Sequence, residues 1–128
     1  MRRLMMVAAA CWLITLGAAL AQDEREQTRP WVAPREAAAR QNPLPTRPET
    51  LAGGQKVFQQ RCTACHAKDG TGTSRGTNLT LQHVQDQSDG ALFWKISDGN
   101  TRTGMPTFSF LPEAQRWQLV MHVRALTE

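Results

Sequence analysis

The chain has few of the features that would place it in many common classes. No run of alternating apolar and polar residues marks a strand, and no segment repeats along its 128 residues. A β architecture is thereby excluded, and an all-α class is left. No basic stripe interleaved with aromatic residues appears, so nucleic acid is not an expected partner. There are only three cysteines, Cys11, Cys62 and Cys65. Once a leader containing Cys11 is removed, both survivors sit in one C-x-x-C-H unit, with none left for a separate structural disulfide. A four-ligand zinc site would want a second cysteine pair, and none exists.

Met1-Arg2-Arg3 gives the N-terminus a positive start, Leu4 to Leu20 is uncharged and mostly apolar, and Ala19-Leu20-Ala21 has the small-x-small pattern of a cleavage site. Residues 1–21 are therefore expected to be a signal peptide, with the mature chain beginning near Gln22 in the periplasm or another exported location. A run of about 18 apolar residues can just span a bilayer, so a retained leader would act as a membrane anchor. Gly17 and the cleavage triplet favour removal, and with it the absence of stable membrane insertion. Cys11 lies after Ala8-Ala9-Ala10 in the middle of the apolar run, a poor setting for lipidation. Loss of Arg2 and Arg3 lowers the basic count from 15 to 13 against 11 acidic residues, a formal charge of +2.

Residues 22–48 hold five of the seven prolines, Pro30, Pro34, Pro43, Pro45 and Pro48, and read as a proline-rich arm or linker with a helical turn over Arg35 to Arg40. Residues 49–128 form the expected domain. Below about 70 to 80 residues a core alone seldom supplies more than ~3 to 5 kcal/mol, so a domain near that size benefits from a staple. A first helix should start at Glu49 or Thr50 and run to Arg61, with Gly53 and Gly54 each costing about 1 kcal/mol of helix propensity and so implying close approach of another helix. A loop spans Lys68 to Gly76, followed by a short turn at Leu81 to Gln85. A further helix runs from an N-cap at Ser88 to Asp98-Gly99. The last helix starts at Pro112 and ends near Leu126. It carries two apolar stripes, Leu119, His122, Val123 and Leu126 on one side and Trp117, Val120 and Met121 on the other, and periodicity does not choose between them.

Arg61-Cys62-Thr63-Ala64-Cys65-His66 has the form of a c-type haem attachment signature. On a helical turn, residues three and four apart share a face. Cys62 and Cys65 can then offer two thiols to the two haem vinyl groups while His66 brings its imidazole beneath the iron. A disulfide between the two cysteines, half a zinc site and a thioredoxin-like dithiol are the competing readings. The last lacks the βαβ surroundings such dithiols occupy. For the sixth iron ligand the candidates are Met105, His83, His122, Met121 or an open position. Met105 lies in Thr103-Gly104-Met105-Pro106, where turn residues rather than helical spacing flank it, which favours a ligand over core packing.

In combination these motifs resemble the class I cytochromes c, in particular the small bacterial single-haem members related to the cytochrome subunits of haem-copper oxidases. The resemblance covers residues 49 to 128. It is carried by Gly54 and Phe58 before Cys62-x-x-Cys65-His66, by Leu92-Phe93-Trp94-Lys95-Ile96 with Gly99, by Gly104-Met105-Pro106, and by Arg116-Trp117-Gln118-Leu119-Val120 with Arg124. It implies a small all-α fold in which the first and last helices cross at a glycine over one covalent haem c. His66 and Met105 would bind iron from opposite faces, and the Leu119, His122, Val123, Leu126 stripe would face inward. Two departures are visible. His122 stands where members often carry an aromatic, and no proline lies between His66 and Met105 to accept the Nδ1 proton of His66, so a carbonyl near Gly76 or Thr77 is expected to serve.

The resemblance implies an electron-transfer protein rather than an enzyme. It would be a periplasmic one-electron carrier between a dehydrogenase or quinol-oxidising complex and an oxidase or reductase, with redox proteins as donor and acceptor. A fixed electron-transfer subunit of a larger redox enzyme, an open-site haem sensor or enzyme, and a non-haem structural domain are the alternatives.

Overall fold

Pro48 is the first residue of the longest helix among the described residues, α2 (Pro48–Arg61), because its fixed φ suits a first turn that needs no N–H partner. Thr50 closes that end: its hydroxyl oxygen accepts from the Arg47 N–H at 3.0 Å and its proton reaches the Pro45 carbonyl at 2.8 Å. A short α1 (Arg35–Ala38) precedes it. After α2 come α3 (Thr63–His66), α4 (Gln82–Gln85), α5 (Asp89–Asp98), a 3-10 turn (Thr101–Thr103) and α6 (Glu113–Ala125). The computed structural model describes residues 30–127, so the expected signal peptide falls outside the described residues. One compact unit starts at Val32. Among the described residues there is no strand, only isolated bridges at Thr73–Gly76 and Asn100–Met105, and the class is all-α. No helix among them is long and apolar enough to cross a membrane.

Ser88 caps α5 as its residue type suggests, accepting from the Ala91 N–H at 3.2 Å, and Gly99 ends the helix at φ +69°. Helices α2 and α6 make the main contact of the fold. They cross at Gly54, where an added Cβ would stand 2.1 Å from the backbone oxygen of Gln118. Only a residue without Cβ allows that approach.

Two apolar clusters lie on either side of α6. Val57, Phe58, Phe108, Leu111 and Leu119 form one towards α2, and Val84, Leu92, Phe93, Trp117, Val120 and Val123 form the other towards α5. The single inward stripe implied by the family resemblance is therefore corrected. Leu119 and Val123 are buried, but so are Trp117, Val120 and Met121 of the second stripe, while His122 and Leu126 are only half-buried. A helix packed between two others has two inner faces, and its residues do not segregate into one.

The proline-rich stretch from Val32 onwards lies against the helices. Gly90 lets its backbone in, since a Cβ there would be 2.2 Å from the Ala37 carbonyl oxygen. The Ser88 hydroxyl donates to the Ala38 carbonyl at 2.6 Å, and the Asn42 side-chain amide donates to the Trp117 carbonyl at 3.2 Å. The Arg40 guanidinium sits 4.6 Å from the Phe93 ring and 5.2 Å from that of Trp117, two rings stacked at 4.0 Å. Its ion pair with Glu113 is exposed and adds little, so the cation–aromatic contact is the larger part of what Arg40 contributes. This segment is a strap that closes the α5–α6 side of the core.

Candidate functional site

Helix α2 stops at Arg61, and the chain re-enters a single helical turn, α3, with Cys62 at its start. The Cys65 and His66 amides both bond the Cys62 carbonyl, at 3.1 and 2.9 Å. That turn brings the Cys62, Cys65 and His66 side chains to one cavity of about 410 Å³, a volume within the usual range for a ligand or cofactor site. Ala67 then takes a positive φ of 63° and reverses the chain.

The 73–77 loop fastens the turn from the other side. Thr73 donates its hydroxyl to the Cys65 carbonyl and Arg75 its guanidinium to the Ala64 carbonyl, both at 2.7 Å. Gly76 lies so close that a Cβ would sit 2.5 Å from the Cys65 oxygen. Composition reads this stretch as loop only. Its role as a clamp on the α3 carbonyls has no local signature beyond the glycines.

His66 Nδ1 lies 2.8 Å from the Thr77 carbonyl oxygen. A carbonyl can only accept, so Nδ1 carries the proton and the neutral ring keeps its lone pair on Nε2, the nitrogen free to bind a metal. The acceptor is thus found in the place expected for a chain without the proline.

Met105 lines the same cavity, and Met121, His83 and His122 do not. Paired backbone bonds between Asn100 and Met105, 2.9 and 3.0 Å, close the loop that carries it. Gly104 supports the turn at φ +88°, and the loop is tied back to α5 by the Phe108 amide on the Ile96 carbonyl at 3.2 Å. Pro106 and Phe108 complete that wall.

The chemistry of the two thiols separates the competing readings. Both cysteines are free, and burial, with a smaller contribution from Cys65, pushes the Cys62 thiol up to about 11. A dithiol oxidoreductase needs a lowered thiol pKa, and Cys62 has the opposite. Among the described residues no group of three or more His, Cys, Asp or Glu side chains stands together as a metal-holding set, so a zinc cluster is not assembled around Cys62 and Cys65. What is assembled around one cavity is two free thiols, an imidazole nitrogen and a thioether, a donor set that fits haem c.

His122 lies outside this cavity, at the α2–α6 crossing. Its ring centroid is 4.8 Å from that of Phe58, and its Nε2 is buried with no hydrogen-bond partner among the described residues. Burial lowers its pKa from the ordinary histidine value.

No curated protein matches the chain. A family model described as cytochrome c oxidase, cbb3-type, subunit III matches residues 49–123, which takes in the C-x-x-C-H turn, the Met105 loop and most of both crossing helices. The chain belongs to that family, whose class I c-type cytochrome domain implies haem c and redox protein partners.

Proposed function

We propose that the chain is an exported single-haem cytochrome that carries one electron at a time. Cys62 and Cys65 would hold the haem through thioethers, and His66 Nε2 and Met105 Sδ would bind its iron. When bound, the group would supply a one-electron iron couple whose potential a methionine ligand raises relative to two histidines. The protein's part is to position the ligands and to limit water. Thr77 fixes the His66 tautomer, the Asn100–Met105 bridge holds the methionine loop, and Phe108 covers the cavity on the apolar side. The observation that carries this reading is the convergence of Cys62, Cys65, His66 and Met105 on one cavity, with the His66 ring already oriented.

The test is Met105→Ala in protein produced with haem-attachment machinery. The expected result is a lower reduction potential and an altered iron coordination spectrum, with carbon monoxide binding to the reduced protein at neutral pH. Unchanged potential and coordination would remove Met105 from the assignment. A mature N-terminus near Gln22, read by mass spectrometry of the periplasmic fraction, tests export and cleavage together.

A fixed electron-transfer subunit is the second reading, favoured by the description of the matching family as an oxidase subunit. Stable co-purification with a partner enzyme would select it over a diffusible carrier.

A further inference from the structure

Beyond the carrier reading, we infer that Ala67 is a positioning residue for His66, the strained joint of a latch formed by residues 67–77 that closes over α3 and orients the imidazole. Ala67 stands at φ 63° and ψ 167°, and it is the only residue other than glycine with a positive φ among the described residues. That region of backbone space is essentially reserved to glycine. The other two positive-φ positions of the same loop are Gly70 and Gly72, at 75° and 87°. The joint directly after the histidine thus carries a side chain where the rest of the loop carries none.

Strain of this kind persists only where the surroundings over-determine it. The last four carbonyls of a helix have no partner within it, and α3 is only four residues long. Each of its carbonyls is nevertheless bonded, and every donor comes from the latch. The Ala67 amide donates to the Thr63 carbonyl at 3.0 Å and the Gly72 amide to that of His66 at 2.9 Å. The Arg75 guanidinium donates to Ala64 and the Thr73 hydroxyl to Cys65, both at 2.7 Å. Thr77 adds the acceptor for the ring, so one segment holds both the main chain and the side chain of His66. The bonds from Gly72, Thr73 and Arg75 need the chain to have reversed at Ala67.

Closure and strain therefore oppose each other. Backbone strain of this size is worth about 5- to 150-fold in an equilibrium, and it is present only while the latch is shut. The hydrogen bonds shut the latch and Ala67 biases it to open. Opening frees the His66 ring from Thr77 and uncovers the α3 carbonyls together, while the α2–α6 crossing, which uses none of these bonds, stays closed. The closed state aims Nε2 into the cavity; the open state lets the ring turn.

The experiment is hydrogen exchange followed by nuclear magnetic resonance on the haem-loaded protein in its reduced form. It reads the Gly72 amide, the His66 Nδ1 proton and the amide of Val120, a fully buried residue of α6. After correction for intrinsic rates, the Gly72 and His66 protons should exchange at least about tenfold faster than that of Val120. Ala67→Gly relieves the strain, partly offset by the greater freedom of glycine in the open state, and should slow both latch protons about tenfold. Thr73→Val, which removes the donor to the Cys65 carbonyl, should speed both roughly two- to tenfold. A merely structural Ala67 would leave the ring proton of His66 unmoved.

A single common opening for Gly72 and Val120 in the parent would overturn the latch. A Gly72 rate that Ala67→Gly leaves unchanged or raises would overturn the role of Ala67. Slowing at Gly72 that the His66 ring proton does not follow would overturn the positioning of the histidine. Isolation of the chain without haem from a host with working attachment machinery would end the carrier reading separately. The same variants are then compared in the haem-free chain, where slowing at Gly72 in Ala67→Gly supports the latch and its absence overturns it.

Discussion

The crossing of α2 and α6 can be tested by one methyl group. Alanine is about 1 kcal/mol better than glycine inside a helix, so Gly54→Ala would stabilise the protein if propensity decided the matter. The added carbon would stand 2.1 Å from the Gln118 oxygen, 2.7 Å from its carbonyl carbon and 3.1 Å from the His122 Cβ. Even a favourable carbon–oxygen contact needs about 3.3 Å, so the helices must part by roughly 1 Å. The first two obstacles are backbone and cannot rotate away. A gap of that size forfeits a quarter to a half of the dispersion well for the atoms lining it, and overpacking typically costs about 1 to 3 kcal/mol. Set against the propensity gain of about 1 kcal/mol, the net loss is expected near ~1 kcal/mol. With a urea m-value of about 2 kcal/mol/M, the unfolding midpoint of the haem-loaded protein should fall by about 0.5 M. Gly53→Ala is the matched control. Its added carbon would meet the end of the Gln118 side chain at 2.7 Å, a flexible amide that can swing aside. That variant should lie between unchanged and about 1 kcal/mol more stable. Equal midpoints for the two variants would refute the crossing argument.

Burial depresses the His122 pKa while the unfolded chain binds its proton near 6.5. Its contribution to stability is therefore full above about pH 6.5 and is lost as pH falls through the lower folded value. Unfolding midpoints of His122→Phe should show a flatter fall over that window than those of the parent, with a gain of about 1 kcal/mol at pH 7 from removing the unpartnered Nε2; parallel pH profiles would count against it. Asn42→Ala should cost about 1 kcal/mol by freeing the Trp117 carbonyl, and a chain starting at Glu49, which also lacks Arg40, should lose distinctly more, both read from thermal midpoints.

The parts legible in the sequence are those with a local cause. Ser88, Gly99 and Pro48 mark helix ends because capping is a matter of a few adjacent backbone groups, and Cys62, Cys65 and His66 come together because one helical turn suffices. Met105 stands out by the turn residues on either side of it. What could not be read depends on contacts far apart in the chain. The strap has no signature in Arg40 or Asn42 themselves, since its bonds go to Ser88, Glu113 and Trp117. Thr73 and Arg75 look like any polar loop until Cys65 and Ala64 lie beneath them. The two stripes of α6 were ambiguous because both are used.

The strap also bears on the order in which the chain closes as it emerges. Asn42 and Arg40 find their partners on α6 at sequence separations of 75 and 73 residues, and α2 waits for the same helix. A chain delivered from its N-terminus has no way to close either side until its last element arrives. Under the proposed reading, Cys62 and Cys65 would emerge while the molecule is still open, and the interval before residues 113–125 appear would be a window in which an attachment machinery could reach both sulfurs. A strap made of local contacts would shut that window early.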